Sequence, residues 1–216
     1  MSAAPGERIR GVEHPLPPGE RVRWQGAPDA RSLAVHVFHV RKLAVYFGLL
    51  LGWRAALALD EPRPLAFFAV GAATLGAAFL AAAGFAVLLA ALTARTTVYA
   101  ITDRRLVMRV GIVVPAVINV PLAGVASAAL RPRRDGTGDL ALALEGGDRL
   151  AWFLLWPHAR PWRFDPAEPA LRCIREPERV GALLREAVAG CTDRAVVAAT
   201  APAREAAGSP ALARTS

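Results

Sequence analysis

The chain has little of what catalysis and cross-linking need. Among 216 residues there are two cysteines, Cys173 and Cys191, and four histidines. One cysteine pair without close spacing forms neither a zinc motif nor a disulfide framework, and both read as ordinary thiols on the cytoplasmic side. There is no phosphate-binding glycine loop, nucleophile elbow, Cys-x-x-Cys or His-Glu-x-x-His. A non-enzymatic protein is the expectation. The first 30 residues carry Glu7, Glu13, Glu20, Asp29 and several prolines, and have no apolar core of leader length. A cleavable signal peptide is therefore not expected. Lysine is nearly missing: Lys42 stands alone, and arginine supplies the rest of a net charge of +8. The bias accompanies abundant Ala, Gly and Pro and carries no functional meaning by itself. The basic residues flank apolar segments and do not form a dense block interleaved with aromatics. That pattern excludes nucleic acid as the expected partner and favours an anionic membrane surface.

The most consequential absence is charge itself. Leu65–Thr93 is 29 residues without Asp, Glu, Lys or Arg. As a straight helix it is roughly 43 Å long, more than a bilayer core needs. Leu43–Leu59 carries one charge, Arg54, and reaches roughly 25 Å. Extension back through Val40 and Phe38 closes the gap, with Arg41 and Lys42 snorkelling to the interface. Residues 43–59 and 65–93 are thus expected to be two transmembrane helices joined by the turn Asp60–Pro64. Ala73, Ala77 and Ala81 give the second a small-residue stripe suited to close packing against the first. Arg21, Arg23, Arg31, Arg41 and Lys42 precede the spans, and Arg95, Arg104, Arg105 and Arg109 follow them. The excess predicts a multi-pass inner-membrane protein with both termini in the cytoplasm.

The flanks divide by pattern. Residues 1–19 are polar and proline-rich and read as a flexible N-terminus. Residues 20–42 hold a short strand, "ERVRWQG", and an amphipathic pre-membrane helix with Asp29 as N-cap. Residues 96–190 read as seven strand-like runs: "TVYAI", "RLVMRV", "AVINVPL", "VASAALR", "LALALE", "RLAWFLLW" and "ALRCI". A helix follows from Glu176, with Val180, Leu183, Leu184 and Val188 on one face and Gly190 as its stop. Several short strands and one closing helix predict a small β-barrel, partly open, capped by the C-terminal helix. The early strand is placed to return to that sheet, because both ends of the helical hairpin emerge on one side. Residues 191–216 show no periodicity and are expected to be a disordered tail.

Four groups of side chains stand out. His36 and His39, three apart on the expected helix, would share a face before the first span. They could ligate a metal or tetrapyrrole there, although polar residues at headgroup level are the more economical reading. "LLWPHARPWRF", Leu154–Phe164, brings Trp156, His158, Arg160 and Trp162 together, a mixture suited to a bilayer interface or a protein contact, or equally to a satisfied barrel rim. In the hairpin "YAITDRRLVMRVG", Asp103 and Arg104 suit a tight turn, with Tyr99, Ile101, Leu106 and Met108 inward. Arg104 and Arg105 would form a basic rim. Arg105 and Arg109, four apart, would share one face, most simply a solvated one.

"YAITDRRLVMRVGI" resembles the hairpin of bacterial pleckstrin-homology (PH)-like membrane proteins, in which two spans precede a small barrel closed by a helix. "LPPGERVRWQGAPD", "FHVRKLAVYF", "DGTGDLAL" and "LLWPHARPWRF" together narrow this: residues 14–190 resemble the PuhB family of photosynthetic-complex assembly proteins of purple bacteria. The resemblance implies a non-enzymatic factor assisting assembly of the reaction centre and core light-harvesting complex. It implies reaction-centre subunits and core light-harvesting polypeptides as partners, membrane lipids as surroundings, and self-association into a homo-oligomer. It supplies no catalytic site, no required cofactor, and no answer on whether His36 and His39 touch bacteriochlorophyll. The alternative is a generic membrane-tethered PH-like module that binds lipid or scaffolds other proteins.

Overall fold

The structure is a computed structural model. It describes residues 8–12, 15–60, 64–112, 114–144, 157–158 and 168–200, with backbone alone for 59–60 and 192–200. The elements in chain order are β1 (Val22–Gly26), α1 (Ala30–His36), α2 (Val40–Asp60), α3 (Leu65–Thr96), β2 (Val98–Thr102), β3 (Arg105–Val110) and β4 (Ala116–Pro121). After them come β5 (Val125–Pro132), β6 (Thr137–Leu144), β7 (Ala170–Arg175) and α4 (Pro177–Thr200).

Alternation in the hairpin sorts its side chains between two faces. Tyr99, Ile101, Leu106, Met108 and Val110 point into the main core, where they meet Leu140, Leu142, Leu171 and Ile174 from β6 and β7. Val180, Leu184 and Ala187 of α4 complete that core. Each large aliphatic side chain buried here contributes on the order of 2 kcal/mol. The opposite face of the first sheet carries Val98, Ala100 and Val107. It is covered by the N-terminal segment, whose Ile9 and Leu16 are buried against it. The described part of residues 1–19, expected to be loose, is therefore packed: an apolar sheet face needs a cover, and this segment supplies it.

The strands form two antiparallel sheets, β1-β2-β3-β4 and β5-β6-β7, joined through a 3-10 turn at Leu122–Gly124. β1 comes before both apolar helices in sequence yet pairs with β2, Trp24 opposite Ile101 and Gly26 opposite Tyr99, as expected for an excursion that returns. A closed barrel is not formed among the described residues. The two sheets face each other across the core and share no hydrogen-bonded edge. The expected strand "RLAWFLLW" lies outside the described residues. The closing helix is also longer than expected. Gly190 does not stop it, and α4 runs on to Thr200. One helical glycine costs only about 1 kcal/mol, and Arg194, Ala195, Ala198 and Ala199 beyond it are good helix formers.

The apolar segments differ from one another. α3 is long and apolar enough to cross a membrane by itself. α2 meets that measure only when joined to α1, from which it is bent by 45°. The expectation of two independent spans thus narrows to one helix plus a bent pair. The bend has a local cause. Asp29 Oδ1 caps α1 by accepting from the Ser32 N–H at 2.9 Å. The helix then closes with the N–H groups of Val37 and Phe38 both on the Leu33 carbonyl. His39 adopts a left-handed φ of 57°, and its carbonyl accepts from Leu43 to begin α2.

Candidate functional site: a basic groove where the apolar helices meet the sheets

The bend opens a groove of about 1920 Å³. One wall is α1 and the first turn of α2, with Arg31, Arg41 and Lys42. The other is the β5–β6 hairpin, with Arg131, Arg133 and Arg134. β7 forms the floor with Arg172 and Arg175, and Pro157 lies at the edge. The "RPRRDGTGD" turn builds the second wall. Asp135 Oδ1 accepts from the Thr137 N–H at 3.1 Å and from its hydroxyl at 2.8 Å, and Gly136 takes φ 74°, which favours glycine.

The walls are joined by polar contacts between residues remote in sequence. His36 Nε2 lies 3.1 Å from Asp135 Oδ2, and the Ser32 and Thr137 hydroxyls are 2.7 Å apart. Arg175 donates to Asp29 Oδ2 at 2.7 Å. Beneath them Asp139 takes ion pairs from Arg133 and Arg172 and accepts from the Cys173 N–H at 2.9 Å. Burial would raise the Asp135 carboxyl, but hydrogen bonds from Thr137, His36 and Ser32 outweigh it and draw the group down to about 2. The Arg175 guanidinium, with the Ser32 N–H, holds Asp29 below the usual carboxylate range.

These pairs neutralise the floor and leave the rim basic. Arg31, Arg41, Lys42, Arg131 and Arg134 are exposed and have no acidic partner among the described residues. Such a rim attracts anions: acidic headgroups, or an acidic protein face. The one thiol nearby, Cys173, is buried, and burial pushes its pKa up, so it is unreactive. No cluster of three potential metal ligands occurs among the described residues.

The residues singled out from sequence are distributed unevenly. His36 and His39 both line the groove, but they do not share a helical face, because α1 ends at the first and α2 begins after the second. His36 is engaged by Asp135. Burial, then the nearby Lys42 charge, lowers the His39 pKa. His158 is inside the protein, 1% exposed. Its Nδ1 is 2.6 Å from the Tyr99 hydroxyl, its Nε2 is 3.2 Å from the Thr97 hydroxyl, and its carbonyl accepts from Ala170 at 2.8 Å. It thereby pins its segment beside Thr97, the C-cap of α3. Trp156, Arg160 and Trp162 lie outside the described residues.

Arg104 is exposed at the β2–β3 turn, the end of the hairpin away from α3, and does not reach the groove. Arg105 is not a free rim charge. It donates to both oxygens of buried Glu20, at 2.8 and 2.6 Å, and ties the N-terminal segment to the hairpin. The groove residues of β5, β6 and β7 were not singled out from sequence. The available signal was three arginines within four residues at a glycine turn.

The chain matches the family model described as bacterial PH domain over residues 44–188. It is 36% identical over 182 residues to a protein of Rhodobacter capsulatus described as an "uncharacterized 23.7 kDa protein in puhA 5'region". That alignment covers 82% of this chain and 83% of the relative. No solved structure matches. With the family model spanning most of the chain, and sheets and a closing helix in place, the protein belongs to the bacterial PH domain family.

Proposed function

We propose that the protein is a non-enzymatic membrane factor that assists assembly of the photosynthetic reaction centre and its core light-harvesting complex. One observation carries the reading: a relative 36% identical along most of both chains is described by its place in the puhA 5' region of a photosynthetic bacterium. In this reading α2 and α3 both cross the inner membrane and both termini are cytoplasmic. Val45, Leu49, Trp53, Phe67, Val70, Leu80 and Phe85 are exposed on the two helices, as side chains facing lipid or an apolar partner would be. The groove, next to the first turn of α2, would hold acidic headgroups or the acidic cytoplasmic face of a reaction-centre subunit. Tethering raises the local concentration of the domain around nascent subunits, so weak contacts suffice. Self-association within the membrane is part of the same reading.

The test is deletion of the gene followed by near-infrared absorbance of the membranes. Reduced reaction-centre and core-antenna bands, restored by complementation, are expected. Normal bands would overturn the reading and leave a tethered lipid-binding or scaffolding module.

A further inference from the structure

Outside α2 and α3, the large apolar side chains exposed among the described residues are Ile112, Val114, Val117 and Leu130. Three of the four gather at one end of the first sheet. Val117 is opposite Arg109, which is opposite Val98, and Val98 begins β2 immediately after the C-cap of α3. β3 runs back toward the end of that helix and passes it. Its turn into β4, with Ile112 and Val114, therefore lies at the end of the sheet from which α3 leaves. The position is held: the Arg109 side chain donates to the Thr96 carbonyl at 3.2 Å, tying the strand to the helix terminus. Gly111 has φ 108°, and a Cβ there would strike the Val114 carbonyl.

We propose that this turn is a second membrane contact, with Ile112 and Val114 entering the interfacial layer of the bilayer beside the end of α3. The inference rests on α3 crossing the membrane, as proposed above. Lipid is the occupant that fits. The turn lies at the end of the sheet from which α3 leaves, and α3 itself presents exposed apolar side chains, Val87 and Leu88 among them. A basic residue is near in the fold: exposed Arg10 stands beside Gly11, which abuts the Arg109 side chain. An apolar tip with an exposed arginine near it suits an acidic leaflet. A second copy fits poorly, because three aliphatic side chains offer far less than the roughly 800 Å² per partner of a stable interface. The domain is thus held at two points, and its groove keeps a set height and tilt above the bilayer.

The test uses the full chain in vesicles of phosphatidylcholine and phosphatidylglycerol. A polarity-sensitive fluorophore is placed on Val114→Cys or on Arg104→Cys at the far turn. The unsubstituted chain, with Cys173 buried and Cys191 half-buried, is the blank. Quenching by lipids spin-labelled near the headgroup should be at least about twofold greater at position 114 than at 104, with a blue-shifted emission. Equal quenching at the two positions overturns the proposal. So does a label at 114 that iodide and the spin-labelled lipid both fail to reach, which would mean a protein occupant. Flotation after an alkaline wash separates the two readings. A chain that leaves the vesicles defeats the membrane reading and this proposal together. A chain that stays, with position 114 behaving like 104, defeats this proposal alone.

Discussion

The guanidinium of Arg54 on α2 occupies the space that a side chain on Gly71 of α3 would fill. From there its Nη2 donates to the Phe67 carbonyl at 3.0 Å, and its Cζ sits 4.9 Å over the Phe67 ring. The charge within the first apolar helix is thus spent on holding the second.

Gly71→Ala should displace that guanidinium and cost about 1–2 kcal/mol of stability. Gly76→Ala should be neutral or stabilise by up to about 1 kcal/mol, since nothing lies near a Cβ there. In an Arg54→Ala background the Gly71 penalty should vanish. Thermal unfolding of the four chains in detergent gives the cycle.

Glu20 and Arg105 make the second prediction. Arg105→Ala leaves a buried carboxylate with Thr102 alone for a side-chain partner among the described residues, and should cost about 2–3 kcal/mol. Arg104→Ala, one residue earlier, should fall within about 0.5 kcal/mol of the parent. The hydrogen bond from Arg105 holds the Glu20 pKa below its usual value despite burial. Its contribution is therefore complete above the ordinary carboxylate range and disappears as pH falls through the depressed value. Denaturant titration of both variants near neutrality and at acid pH checks size and sign.

His158 makes the third. Arg172 N–H donates to the Tyr99 oxygen at 3.2 Å, so the set that uses every hydrogen has Tyr99 donating to Nδ1 and Nε2 donating to Thr97. The ring is neutral: burial, then the Arg172 charge, lowers its pKa to about 3. Between that value and the ordinary 6.5 the unfolded chain binds a proton that the folded chain does not. Stability should therefore decline as pH falls through this window, by an amount on the order of a few kcal/mol. His158→Gln should begin less stable and show a flatter profile over the same range.

Reversal of charge on the groove rim is the fourth. Arg131→Glu with Arg134→Glu should lower the reaction-centre and core-antenna bands several-fold while the protein persists in the membrane at normal level. Arg104→Glu, distant from the groove, should leave the bands unchanged. Near-infrared absorbance with an immunoblot distinguishes loss of contact from loss of protein.

Local pattern made much of the fold legible. The α3 segment announces itself by 29 residues without charge, and the β2–β3 hairpin by alternation about Asp103 and Arg104. Asp29 caps its helix as its type and place suggest. Less legible was whatever depends on closure. Gly190 reads as a stop, yet neighbouring residues carry the helix through it. The polar N-terminal stretch reads as loose, yet Ile9 and Leu16 find an apolar sheet face that no local window contains.

The candidate site was less visible, for a physical reason. Its walls are joined by His36 with Asp135 and by Asp29 with Arg175, residues about one hundred and more positions apart. In a linear chain each of these charges reads as solvated, and nothing marks which will be paired and which left bare. The sequence by itself determined an apolar helix of membrane length, the strand character of β1 and the inward residues of the first hairpin, because each rests on short-range periodicity. Only the tertiary structure decided that Arg105 serves Glu20, that His158 is an internal anchor, and that five cations around one groove have no acidic partner among the described residues, because each rests on which distant parts of the chain meet.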